Sequence, residues 1–367
     1  MRPEDFDYSL PVGQIAQRPL PQRTDSRLLL IDRNSSQAEG FWQDRAFAEL
    51  PELLRGDELL IVNNARVIPA RLHGFRIRGP RGTKRVGNSP EQSDRVEILL
   101  SRQLEPDTWE ALVRPGRKMP VGQQAEFGEG EIAAEVLTCG ERGFRTLKFM
   151  TRDERPVAEH LERLGHVPLP PYINRPDEEA DRDRYQTVFA STPGAIAAPT
   201  AGLHFTTEIL GAIRARGVEI RELTLDVGLG TFQPMRSGSL EGHKMHRERY
   251  EIPEATAQAV ARARAEGRRI VAIGTTVVRA LEHAALRAVG SRDSVVAAGN
   301  ASTNLFIFPG FQFRVVDALL TNFHLPRSTL LALVCAFAGQ GNTLEAYRHA
   351  VAAGYRFYSY GDCMFIR

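Results

Sequence analysis

The chain has 367 residues, of which 42% are hydrophobic and 25% charged, with a formal net charge of +2. That length can bury a sizeable core in two domains, and the composition is that of an ordinary soluble globular protein. A charge this near balance is by itself weak evidence for a nucleic-acid binder. Of the 47 basic residues only Lys84, Lys118, Lys148 and Lys244 are lysine. Arginine forks suit phosphates and stack on bases, but a GC-rich genome produces the same bias, and that is the preferred reading. Cys139, Cys335 and Cys363 are odd in number and widely spaced. They make neither a disulfide framework nor a metal knuckle and read as buried thiols in a reducing compartment. The N-terminal "MRPEDFDYSL" lacks the apolar segment of a signal peptide, and the longest apolar run, Leu330 to Ala338, is too short to cross a bilayer. A cytoplasmic protein with no membrane contact is expected.

In chain order, "SRLLLID" and "DELLIV" predict buried strands, with a helix-like "QDRAFAELPELL" between them. From Arg71 to Met150 the texture changes. "RVEILLS", "TWEALVR", "QQAEFGE", "IAAEVLT" and "FRTLKFM" are short, β-rich and closely spaced, which predicts a small barrel or sandwich. Within that region the polar, breaker-rich stretch Gly79 to Arg95 predicts a mobile surface loop. Beyond Met150 the pattern becomes α/β. "VAEHLERLG" and "TEILGAIRARG" predict helices, "VEIRELTLDVG" a strand, and "PEATAQAVARARAEG" a long helix with a glycine stop. "RRIVAIG" then reads as a buried strand and "TTVVRALEHAALRAVG" as another helix. The expected architecture is a larger mixed α/β domain, residues 1–70 and 151–367, carrying the active site. A small antiparallel β-barrel domain, 71–150, is inserted into it.

Three strand-to-turn junctions carry residues suited to chemistry. "LDVGLGTF" runs a strand into Gly228, Gly230 and Thr231, where backbone N–H groups can cradle an anion. "AIGTTVVRALEH" opens a helix with Thr275, Thr276 and Arg279, a fit for a carboxylate or phosphate, though also for an ordinary threonine cap. "LLTNFHLPRSTLL" ends a strand in Asn322, His324 and Pro326. "APTAGLHFT", Ala198 to Thr206, carries no charged side chain and one histidine, His204, with Thr200 and Gly202 beside it. His243 and His246 form a His-x-x-His pair, but the intervening Lys244 and the arginine-rich flank disfavour a cation. A lone histidine is more often structural than catalytic. Four in Gly-, Thr- and Asn-rich turns of one region shift the balance toward a site.

These strings, together with "DFDYSLP", "IAQRPLPQR", "GHVPLPPYI", "DRYQTVFA", "EGHKMHRERY" and "YRFYSYGD", occur in order from Asp5 to Asp362. So ordered, they resemble the S-adenosylmethionine:tRNA ribosyltransferase-isomerase family of queuosine biosynthesis. The resemblance implies a β-barrel domain joined to a larger α/β domain. It implies transfer of the ribosyl unit of S-adenosylmethionine to 7-aminomethyl-7-deazaguanine at the wobble position of tRNA. The ribose rearranges to an epoxycyclopentane, giving epoxyqueuosine, and adenine and methionine leave. S-adenosylmethionine is then a co-substrate, tRNA the partner, and no cofactor or metal is implied; a monomer is expected.

That chemistry suits the residues. The sulfonium acidifies the C5′ hydrogens, and a histidine of near-neutral pKa can take one. We therefore expect His204, His246, His324 and Asp226 in the catalytic set, with His204 the leading base. Thr200, Gly202, Gly228, Gly230, Thr231, Thr275, Thr276 and Arg279 are expected to hold S-adenosylmethionine. Three positions depart from the family's pattern: Asp226 stands where histidine is common, Asn64-Ala65 where Asp-Thr is common, and Ala318 where glycine is common. Asp226 is accordingly expected to orient a neighbouring histidine or offset the sulfonium charge, not to act as the base. Two other classes fit the residues less well: a metal-dependent hydrolase built on the histidines, and a non-catalytic tRNA-binding module.

Overall fold

The structure, a computed structural model, describes residues 1–33, 35, 40–77, 94–153, 155–228, 240, 242–243, 245–290 and 294–367. The predicted loop over 79–95 lies almost wholly outside these residues. Internal contacts divide the chain into two compact units. One comprises Met1–Arg66, Pro170–Pro176 and Arg184–Arg367; the other comprises Val67–Leu169 and Asp177–Asp183.

The larger unit is a mixed α/β fold. In chain order its strands are β1 (Arg27–Ile31), β2 (Trp42–Ala46), β3 (Leu59–Asn63) and β4 (Ala65–Val67, which runs to the unit's edge). The smaller unit supplies β5 (Arg71–Arg76), β6 (Arg95–Glu105), β7 (Thr108–Arg114), β8 (Gln124–Phe127), β9 (Ile132–Cys139) and β10 (Phe144–Thr151). The larger unit resumes with β11 (Thr192–Ala195), β12 (Glu219–Leu225), β13 (Glu248–Ile252), β14 (Ile270–Ile273), β15 (Gly299–Thr303), β16 (Ala318–Asn322) and β17 (Cys363–Ile366).

In the smaller unit the strands close into a barrel in the order β10-β7-β6-β5-β8-β9, with antiparallel neighbours. Alternation in the sequence explains why. Along β7, Trp109, Ala111 and Val113 are buried while Glu110 and Leu112 are less so, which is the period-2 pattern of a strand with one face in a core. Gly74 on β5 lets the wall close: a Cβ there would meet the Phe127 ring at 2.4 Å.

In the larger unit a nine-stranded sheet runs β15-β13-β12-β3-β14-β16-β17-β1-β2. The four central strands β12, β3, β14 and β16 are mutually parallel. Strand β3, "LLIVN", is buried throughout, and its side chains alternate between two cores: Leu59 and Ile61 in one, Leu60 and Val62 in the other. A strand apolar on both faces needs cover on both, which helices supply. Helices Glu254–Ala265, Thr275–Arg287 and Thr329–Ala338 pack on one face, and Thr207–Ala215 with the short Leu50–Leu53 on the other.

The helix-like reading of "QDRAFAELPELL" holds only for its end. Trp42–Ala46 pairs antiparallel with β1 as an edge strand, and helix begins only at Phe47, as a 3₁₀ turn that continues into Leu50–Leu53. The edge ladder to β1 satisfies this backbone, so its weak helical periodicity loses to tertiary pairing.

Candidate functional site

Ligands of open α/β sheets lie beyond the carboxyl ends of the parallel strands, where the strand order reverses. Here the reversal centres on β3, with β12 on one side and β14 on the other. Asn63, the last residue of β3, ties these ends together. Its Nδ2 donates to Leu225 O at 3.0 Å and to Thr276 Oγ1 at 3.4 Å, and its Oδ1 accepts from Leu225 N at 3.0 Å. After β14 the chain turns through Gly274, whose φ of 97° is costly for any other residue, and enters the helix at Thr275. Thr275 and Thr276 are both buried there. Ala201 packs against Gly274, which brings the turn Thr200–His204 to the same edge.

His204 ends that turn and is 3% exposed. Its Nδ1 lies 2.9 Å from Ser26 Oγ, and its ring lies 5.3 Å from that of Phe47. Its Nε2 is buried with no hydrogen-bond partner. Burial pushes its pKa down to about 4; Asn322 works against this, and the cations Arg23 and Arg356 add to it. The imidazole is therefore neutral near pH 7. A small cleft beside it is lined by Arg23, Ser26, Arg184, His204, Ser359 and Gly361, among others. Gly202 serves packing on its open side: a Cβ there would meet Phe189 and Thr187 at 2.6 and 2.7 Å.

Arg279 is 2% exposed and pairs with Glu248, while its Nε donates to Leu305 O at 3.1 Å. Its Nη2 is buried with no partner. Glu248 also accepts from Gly228 N at 3.1 Å, so "LDVGLGTF" and "GTTVVR" meet through one carboxylate. Asp226 lies just past β12 beside Gly194, where a Cβ would stand 3.3 Å from its Oδ1. Burial raises its pKa, Arg249 opposes the shift and Glu248 adds to it.

His324 stands apart in character. Its Nε2 lies 2.9 Å from Thr321 Oγ1, its backbone N donates to Tyr347 OH at 3.0 Å, and its carbonyl accepts from Tyr8 OH. Burial pushes its pKa down to about 3. His246 is exposed, and its neighbour His243 lies against the Phe306 ring at 5.3 Å. Gly230 and Thr231 lie outside the described residues, as do Glu241 and Lys244 of the His-x-x-His segment. Among the described residues no group of three or more His, Cys, Asp or Glu could hold a metal ion, and no helix is long and apolar enough to cross a membrane.

Four contributors escaped the sequence reading as site residues: Ser26, Asn63, Glu248 and Asn322. Ser26 precedes a strand, Asn63 closes one, Glu248 sits in a charged run, and Asn322 reads from sequence only as a neighbour of His324. Their partners lie up to 213 residues away along the chain, so no local spacing announces them.

The family model described as "Queuosine biosynthesis protein" matches residues 3–366. An S-adenosylmethionine:tRNA ribosyltransferase-isomerase of Moorella thermoacetica is 49% identical over 366 residues, covering 100% of both chains. One from Thermus thermophilus is 50% identical over 372 residues, covering 99% of each. The solved structure of an S-adenosylmethionine tRNA ribosyltransferase from Thermotoga maritima is 35% identical, with a TM-score of 0.53. That match covers 99% of this chain and 100% of the other.

Proposed function

The chain belongs to the queuosine biosynthesis protein family, and on that premise we propose that it transfers and isomerises the ribosyl unit of S-adenosylmethionine. The acceptor is 7-aminomethyl-7-deazaguanine in the wobble position of tRNA. The product is epoxyqueuosine in tRNA, and adenine and methionine are released. The reading further has the enzyme cytoplasmic, monomeric and independent of metal, with residues 1–70 and 151–367 as the catalytic domain and 71–150 as the inserted barrel.

The observation that carries the reading is the His204 turn. A neutral imidazole sits in the least charged segment of the chain, beside the carboxyl end of β16. The turn itself adds no like charge against a sulfonium, the nearby cations being Arg23 and Arg356 outside it, and an uncharged imidazole can accept a proton. In this scheme His204 is the base of C5′ proton removal. Asp226 offsets the sulfonium charge. Thr275, Thr276 and the unpartnered Nη2 of Arg279 receive the methionine carboxylate. Thr200 and Gly202 wall the nucleoside, and Gly228 joins the same edge through its bond to Glu248. His246 serves tRNA phosphate, and His324 holds the loop after β16 in place.

The test is mass spectrometry of precursor tRNA incubated with S-adenosylmethionine and the protein. Epoxyqueuosine in the tRNA, with adenine and methionine released in equal amounts, is the expected result. Methyl transfer, or release of S-adenosylhomocysteine, overturns the reading. Activity abolished by a chelator and restored by zinc favours the metal-dependent hydrolase instead.

A further inference from the structure

Both nitrogens of His204 face a defined neighbour, and those neighbours decide which nitrogen carries the proton. Nδ1 lies 2.9 Å from Ser26 Oγ. On the other side of the ring, Nε2 is sealed from solvent without a partner, and Asn322 Oδ1 is sealed in the same way. The Thr200–His204 turn packs on β16, whose last residue is Asn322, and the Asn322 side chain acts on His204 as a hydrogen-bonding neighbour.

The Asn322 amide is not free to turn over. Its Nδ2 donates to Tyr358 O at 2.9 Å, so the atom left for His204 is the acceptor Oδ1. A neutral imidazole carries one N–H. With an acceptor at Nε2 the proton belongs on Nε2, and Nδ1 becomes the acceptor for the Ser26 hydroxyl. The opposite tautomer lets Ser26 donate to Arg23 O at 3.2 Å instead. It also sets the Nε2 lone pair against Oδ1, two buried acceptors with no proton between them, which is the costlier arrangement.

We propose that Ser26, His204 and Asn322 form a proton-transfer chain, in which Ser26 Oγ exchanges the proton with substrate at the cleft. His204 takes the proton behind it, and Asn322 is the positioning residue. This rests on the transferase reading above. Ser26 and His204 both line the cleft, and His204 has Ser26 on one ring nitrogen and Asn322 acting on its ring as well. The C5′–H bond breaks and its electron pair stays on the carbon beside the sulfonium. The proton joins Ser26 Oγ as the Ser26 proton passes to Nδ1. The resulting imidazolium donates Nε2–H to Asn322 and gives its extra proton back through Ser26 when adenine leaves as the neutral base. The charged groups acting on His204 are Arg23 and Arg356, both cations, so the imidazolium is short-lived.

The test begins with nitrogen NMR on full-length protein labelled at histidine, with His204 assigned through His204→Gln. A neutral ring protonated on Nε2 at pH 7 is the expected result; an Nδ1–H ring, or a charged one, overturns the chain. This reading does not need activity. The expected tautomer in a protein that fails to modify tRNA therefore sinks the transferase reading alone. Kinetics add a second arm. Ser26→Ala lowers kcat by about 10²- to 10⁴-fold with little change in KM for S-adenosylmethionine, and Ser26→Thr restores part of it. Asn322→Asp places an anion beside Nε2 and moves the acid limb of the kcat–pH profile upward by roughly one to three pH units. Wild-type kcat in Ser26→Ala overturns the proposal. So does an Asn322→Asp enzyme that folds and turns over but keeps the wild-type pH profile.

Discussion

His204 and His324 lie close to the same strand end, and both have pKa values pushed far down by burial. They differ in what holds them. His324 is locked into an aromatic cluster: Tyr8 and Tyr347 bind its backbone, and Phe323 beside it packs on Tyr347 and Phe357 at 5.2 and 5.0 Å. His204 borders a cleft and keeps Nε2 without a bond. A depressed pKa therefore does not separate a working histidine from a structural one. On the function proposed above, the distribution of partners does.

The largest effect expected from this contrast is on turnover. His204→Ala should lower kcat by about 10²- to 10⁴-fold while leaving S-adenosylmethionine binding largely intact, because the lost interaction belongs to the transition state. Near-normal turnover at saturating tRNA and S-adenosylmethionine would return His204 to the same class as His324.

Next comes Arg279, whose pairing with Glu248 is buried on both sides. Arg279→Ala takes the counter-charge from that buried carboxylate and should cost about 3–5 kcal/mol in urea unfolding. It should also weaken S-adenosylmethionine binding. A stability loss below about 1 kcal/mol would show that the pair behaves as a solvated one.

The pH dependence sharpens the comparison further. Both histidines are neutral when folded and titrate near pH 6.5 when unfolded, so between those values the unfolded chain binds more protons and stability falls as pH falls. Each should cost about 2 kcal/mol at pH 5 relative to neutral pH. The loss begins below about pH 6.5 and levels off near the folded values of about 4 and 3. His324→Gln should remove roughly half of this slope; an unchanged slope would mean that His324 is not buried neutral.

The smallest effect is the direct cost of His324→Gln, about 1 kcal/mol for the lost bond to Thr321. Turnover per folded molecule should stay within a few-fold of wild type. A turnover loss as large as that of His204→Ala would show both histidines to be catalytic.

Where one segment settles its own backbone, the sequence was readable. The alternating barrel strands, the doubly apolar "LLIVN", and the glycine stops after Ala215 and Ala265 all announce their structure locally. "WQDRA" did not, because pairing with β1 decides it. The site was legible only in part. "APTAGLHFT" stood out by its lack of charge, and Gly274 with its threonines by a strand-to-helix break. The Ser26–His204 contact spans 178 residues, and the meeting of Gly228 with Arg279 runs through a glutamate in a charged run. Such meetings are products of sheet order, which periodicity does not encode.

The most direct test of proton removal at the His204 edge uses S-adenosylmethionine carrying two deuterium atoms at C5′, with mass spectrometry of the modified tRNA. The expected product is epoxyqueuosine that has lost deuterium from C5′, with adenine and methionine released in equal amounts. His204→Ala should fail to release that deuterium. Epoxyqueuosine that retains both deuterium atoms would contradict base-catalysed chemistry at this edge.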